Sequence, residues 1–202
     1  MTATLTRFGA AFAVLVLALQ LAGCGVNAIP TDEERARASW SEVLNQYQRR
    51  SDLIPNLVET VKGYATQERE VLTQVIEARA KATQVKVDAS TITDPEAFKR
   101  FQEAQAQLSG VLGRLLAVSE RYPDLKSNQN FLTLQAQLEG TENRVAVARR
   151  DYIEAVRVYN TELKTFPGVI WASILYRNNK PMETFSINEE QMRVPKVEFN
   201  KS

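Results

Sequence analysis

Long apolar stripes repeating at three- and four-residue steps run through most of this 202-residue chain, and they restrict it to a packing of helices. The first stripe comprises Trp40, Val43, Leu44, Tyr47, Ile54, Leu57, Val58, Val61, Ala65, Val71, Leu72, Val75 and Ile76. Pro55 falls inside it, where a proline removes a hydrogen bond and crowds the preceding turn. The stripe keeps its phase across Pro55, which predicts one long kinked helix rather than two. Thr31 and Glu34 form a capping-box pair at its start, and Asp32 and Glu33 suit the positive end of the helix dipole. The stripe fades in the β-branched, polar stretch from Val85 to Thr93.

A second start is written in Asp94-Pro95-Glu96: an N-cap, a proline in the first turn, then an acid. Its stripe is Phe98, Phe101, Gln105, Leu108, Leu112, Leu115 and Val118. Gly110 and Gly113 within it suggest close helix approach. Tyr122-Pro123-Asp124 closes the segment. A third helix is predicted from Ser127-Asn128 to about Phe166, with Phe131, Leu134, Leu138, Thr141, Val145, Ala148, Tyr152, Ala155, Val156, Tyr159 and Leu163 on one face. Phe166-Pro167-Gly168 ends it, and Val169 to Tyr176, with Trp171, reads as a brief helix covering one end. Trp40, Tyr47, Tyr64, Tyr152 and Tyr159 lie on the stripes and are expected in the core. Nothing alternates with period two for long enough to make a strand. Short turns between long amphipathic helices give antiparallel neighbours. The fold predicted is all-α: an antiparallel up-and-down bundle of three long helices, the first kinked at Pro55, plus a short C-terminal helix.

The N-terminus reads as an address. Arg7 precedes an apolar run from Phe8 to Leu19, within the ~7–15 residues of a signal-peptide core and short of the ~20 that a spanning helix needs. Cys24 is the only cysteine and closes the lipobox-like run Leu21-Ala22-Gly23-Cys24. These features predict a signal peptide over 1–23, a lipidated Cys24 with a tether over 24–30, a bundle over 31–176 and an extended or partly disordered tail over 177–202. The alternative is an uncleaved membrane anchor with an incidental cysteine. Several acyl chains on Cys24 would hold the protein stably on a membrane, whereas one would not. Gly25 after the cysteine, in place of an Asp retention signal, favours the outer membrane where there is one.

Charge and composition narrow the chemistry. The chain has 25 Lys and Arg against 24 Asp and Glu, with no histidine. Loss of Arg7 with the signal brings the mature side-chain charge to zero. Balanced charge offers no electrostatic case for nucleic acid or for an anionic membrane surface, so Arg49-Arg50 and Arg149-Arg150 read as solvated or ion-paired. Without histidine, and with Cys24 blocked, zinc sites and Cys–His or Ser–His nucleophiles drop out. No catalytic residue, cofactor or metal is expected.

The stretch from Arg49 to Ala65, RRSDLIPNLVETVKGYA, resembles the hallmark segment of the LemA family. The likeness continues through Glu68 and Ala78-Arg79. It resumes at Tyr122-Pro123-Asp124-Leu125-Lys126, Phe131, Leu134, Glu139 to Arg144 and Ala148-Arg149, and ends with Tyr152, Tyr159-Asn160 and Phe166-Pro167. The resemblance implies a membrane-attached helical bundle facing outward from the cytoplasmic membrane and does not imply an enzyme; some members are tied to membrane-organelle formation. Two departures stand out. A lipobox replaces the family's usual N-terminal transmembrane helix, and Tyr152-Ile153 stands where Tyr-Asn is usual.

The family-like block places Arg50, Asp52, Asn56, Glu59, Arg79, Glu142, Asn143, Arg144 and Arg149 close to the apolar stripe. Such residues either form an interhelical salt-bridge network that sets register or present a recognition patch. A catalytic pair such as Asp52 with Glu142 would need a pocket that drives the two pKa values apart, and nothing in the sequence predicts one. The expected function is a non-enzymatic envelope lipoprotein that scaffolds or adapts envelope proteins, exposed to the periplasm or cell exterior. The alternative is a periplasmic chaperone or lipid carrier using a groove along the bundle.

Overall fold

The computed structural model describes residues 25–186 apart from 86 and 89. The signal segment, Cys24 and the last part of the tail, 187–202, lie outside the described residues. Among the described residues there are six helices: α1 (Ala28–Tyr64), α2 (Arg69–Gln84), α3 (Pro95–Ser119), the short α4 (Pro123–Lys126), α5 (Gln129–Glu162) and α6 (Gly168–Ile174), with one 3-10 turn at Thr91–Thr93. No strand occurs among the described residues, so the fold is all-α.

The first helix differs from expectation at both ends. It begins at Ala28, not Thr31, with Asn27 as N-cap and no side-chain cap bond. Burial of Ile29 explains the extra turn: its side chain is wholly enclosed, and Pro30 sits where a helical N–H has no partner anyway. The Thr31–Glu34 capping box therefore does not form at the helix start. The helix then runs on through Pro55 and stops at Tyr64. The break comes at Ala65–Glu68, so the single kinked helix drawn from the stripe is two helices, α1 and α2, folded against each other.

Pro55 is tolerated for a local reason. Lacking an N–H, it leaves the carbonyl of Ser51 without its helical donor. Arg79, reaching across from α2, donates through Nε to that oxygen at 2.9 Å. A side chain on a neighbouring helix thus repairs the backbone bond that proline removes.

The other starts follow the sequence signals. Asp94 accepts from the N–H groups of Glu96 and Ala97 at 3.0 and 3.1 Å, and Asn128 accepts from that of Phe131 at 3.0 Å. At one pole, Glu68 holds the α1–α2 turn against the α3–α4 turn, accepting from Arg121 Nη2 at 2.9 Å and Tyr122 Oη at 3.1 Å.

The long axis is the antiparallel pair α1 and α5, of 37 and 34 residues, about 55 and 51 Å at ~1.5 Å per residue. The hairpin of α2 and α3 is shorter and cannot cover that whole seam. The remainder is covered by the extended segment 177–186. Asn160 clasps Met182 through both backbone groups at 2.9 Å, Tyr152 Oη donates to the Glu183 carbonyl at 2.7 Å, and Glu183 N–H donates to the Ile92 carbonyl at 2.7 Å. Met182 and Phe185 are buried. This part of the tail is extended but packed as a strap.

Two apolar clusters result. One, aliphatic, joins Ile54, Leu57, Val61, Val75, Leu108, Leu115 and Leu138. The other, aromatic, joins Trp40, Tyr47, Phe98, Phe101, Tyr152, Tyr159 and Phe185. Trp40 lies 5.2 Å from both Phe101 and Tyr152, centroid to centroid, within the range of favourable ring pairing. Tyr64 and Ile76, expected inside, are exposed; Tyr64 Oη instead accepts from Asn128 Nδ2 at 2.8 Å. A Cβ at Gly110 or Gly113 would meet nothing within 4 Å, so neither glycine serves a close helix approach.

Candidate functional site: a charged layer between two cores

The two apolar clusters are separated by a polar layer. On α1 the residues Ala36, Val43, Arg50 and Leu57 follow one another at seven-residue steps and are all buried, so Arg50 occupies a core position on the stripe. It is only 1% exposed. Its guanidinium is shared between two helices. Nη1 donates to Ser109 Oγ at 2.7 Å and Glu142 Oε1 at 2.8 Å; Nη2 donates to Gln105 Oε1 at 2.5 Å and, at 3.4 Å, to the Gln105 carbonyl. Nε is buried without an acceptor among the described residues. The Tyr47 ring, 4.9 Å from Cζ, supplies a cation–π contact. Arg50 thereby ties α1 to α3 and α5 at one level.

A second set of bonds lies beside the first. Arg144 on α5 donates through Nε to Gln46 Oε1 at 3.2 Å and through Nη2 to Thr141 Oγ1 at 3.0 Å, while Gln46 Nε2 donates to Glu42 at 2.6 Å. Gln46, Gln105 and Thr141 are all buried. Arg149 lies over the Phe185 ring at 4.3 Å, against the strap. An open cleft of about 560 Å³ runs along this layer, walled by Tyr47, Arg50, Lys99, Glu103, Glu142 and Arg149 among others. Burial pushes the Tyr47 phenol above its ordinary pKa, against the opposing pull of Arg149 and Arg50.

The nine polar residues singled out in the sequence do not form one network. Arg50 and Glu142 meet directly. Arg144 and Arg149 lie close by on α5, with partners of their own. Arg79 belongs to the repair of the Pro55 gap. Asp52, Asn56, Glu59 and Asn143 are exposed: Asp52 accepts from Gln48 Nε2 at 2.7 Å, and Glu59 pairs with Lys62 at 3.4 Å. Asp52 sits two residues, about 200° of helix, from Arg50, which is why it neither pairs with a buried arginine nor converges with Glu142.

Gln105 and Ser109 complete the layer and were not among the expected site residues. Gln105 carried a signal: a polar residue on an otherwise apolar stripe must find a partner when buried. Among the described residues no His, Cys, Asp or Glu cluster is arranged to hold a metal, and no helix is long and apolar enough to cross a membrane.

Comparison with known proteins places the chain. It is 26% identical over 157 residues to magnetosome protein MamQ 2 of Paramagnetospirillum magneticum, covering 70% of this chain and 58% of that protein. It is 24% identical over 140 residues to protein LemA of Metamycoplasma hominis, covering 69% of this chain and 60% of that one. The chain thus spans less than two thirds of the length of these relatives. The sequence model of the LemA family matches residues 39–199, which include both long helices' contributions to the charged layer and the strap, and the chain belongs to the LemA family.

Proposed function

We propose that this protein is a membrane-anchored, non-enzymatic lipoprotein of the cell envelope, acting as a scaffold or adaptor for envelope proteins. The observation that carries the reading is the internal pairing of the charged layer. Arg50 spends both terminal nitrogens on Ser109, Glu142 and Gln105, and so fixes register between helices instead of facing a substrate. Setting register is the best-attested use of a buried polar or ionic group. The seam that a carrier would need as a groove is filled by the strap residues Met182 and Phe185. Relatives named as magnetosome proteins support attachment to a membrane, and Cys24 supplies the means.

Crosslinking in intact cells, followed by mass spectrometry of the captured proteins, tests the scaffold reading: it predicts the same few envelope proteins in replicate captures. Capture of lipid alone would favour the carrier reading. Cys24→Ser tests the anchor: unprocessed, non-acylated precursor is expected, and normal maturation with acylation would overturn it.

A further inference from the structure

The end of the bundle where the described chain begins carries a group of exposed apolar side chains. Phe166 is 80% exposed, and Val169, Ile170, Ile174 and Leu175 are 42–57% exposed. Positions 169, 170 and 174 share the outer face of α6, while Gly168, Trp171 and Ala172 turn inward. Gly168 is buried so closely that a Cβ there would overlap the Glu162 carbonyl oxygen, which seats α6 firmly across the bundle end. Five large apolar side chains in one short stretch are not the scattered exposure of an ordinary surface.

What covers them is indicated by where the chain leads. Gly25, with φ +112°, lies against α6: a Cβ there would come within 3.3 Å of Pro167 Cγ and 3.9 Å of Trp171 Nε1. Tyr176 Oη donates to the Val26 carbonyl at 3.1 Å. Gly25 follows Cys24 in the sequence, so the lipid anchor of the reading above is attached beside this patch. In a chain whose overall charge is balanced, three exposed bases, Lys164, Arg177 and Lys180, flank it, against the acid Glu162, whose carboxylate lies beside Gly168; the nearby Glu33 is engaged by Arg37 and Asn179. Apolar residues bordered by bases match a bilayer with anionic headgroups.

We propose that α6 and its flanks form a membrane-docking foot, lying in the interface of an anionic bilayer and standing the α1–α5 rod away from it. The inference rests on the anchored reading above and adds the orientation of the bundle. To test it, the full chain is purified and reconstituted into phosphatidylcholine–phosphatidylglycerol vesicles. An environment-sensitive fluorophore is attached at Ile174→Cys in one sample and at Asn130→Cys, at the opposite pole, in another; the parent chain is treated identically to subtract any label taken by Cys24.

The expected result is blue-shifted emission from position 174, quenched at least twofold by doxyl-labelled lipid, with water-like emission from position 130. Adding Ile170→Asp should at least halve the quenching at 174 while the protein still floats with the vesicles. A floating protein with water-like emission at 174 overturns the foot and leaves the anchor standing. A protein that does not float overturns both. Shielding at 174 in native membranes but not in pure lipid would assign the patch to a protein partner and overturn the proposal.

Discussion

Replacing Arg50 by alanine isolates the layer that divides the two cores. Its guanidinium is 1% exposed, and removal leaves the Gln105 side chain, 8% exposed, without its donor. Stranding a buried polar group costs about 1–3 kcal/mol. Loss of two buried methylenes adds about 1.6 kcal/mol at ~0.8 each. Glu142, whose side chain is 41% exposed, can turn to water and adds little. The sum is about 3–5 kcal/mol. At roughly 2–4 °C per kcal/mol for a chain of this size, the melting temperature should fall by about 6–20 °C. Urea unfolding followed by circular dichroism should show a lower midpoint at unchanged slope. The paired change Arg50→Met with Gln105→Leu removes donor and acceptor together and should recover more than half the loss, since apolar replacement of a buried polar pair is often neutral. A loss below about 1 kcal/mol for Arg50→Ala, or a double variant as unstable as the single, would show that the layer does not lock the helices in this way.

Three further outcomes can be measured. Arg79→Met should cost about 1–2 kcal/mol by exposing the Ser51 carbonyl, and less than half as much in a Pro55→Ala background, where residue 55 regains its own N–H; equal costs in both would contradict the repair. Gly168→Ala should destabilise by about 1–3 kcal/mol and shift Trp171 emission, because the new methyl meets a backbone oxygen; an unchanged melt would show that the turn yields freely. Tyr152 is held protonated by burial, with Glu183 adding to the effect, so its folded pKa lies above the unfolded value near 10. Its contribution is full below about pH 10 and lost as pH rises through the folded value; Tyr47 and Tyr159 shift the same way, also chiefly through burial. Stability should decline above about pH 10, less steeply in Tyr152→Phe.

Periodicity made the helical class and the buried faces of α1 and α5 readable, though not their antiparallel pairing, and the Asp94-Pro95 and Asn128 starts were readable from capping chemistry. What stayed hidden depended on contacts distant in sequence. Pro55 looked like the weak point, but Arg79, 28 residues on from Ser51, supplies the missing bond, and the true break lies at Ala65–Glu68, where Glu68 can reach Arg121 and Tyr122. The strap was hidden because 177–186 has few apolar residues; Met182 and Phe185 suffice once Asn160 and Tyr152 hold the backbone between them. At the site, the choice of Arg50 and Glu142 over Asp52 follows from helix phase. Exposure of Asn56, Glu59 and Asn143 has the same origin: membership in a family-like motif says nothing about which face of a helix a residue occupies.

In this reading the charged layer locks the bundle while the outer surface meets the partners. In-cell crosslinking of the parent and of the Arg50→Met, Gln105→Leu double variant, once the two are matched in stability, separates those roles most directly. The same captured proteins are expected in both. Loss of those proteins from a variant as stable as the parent would make the layer itself the recognition site.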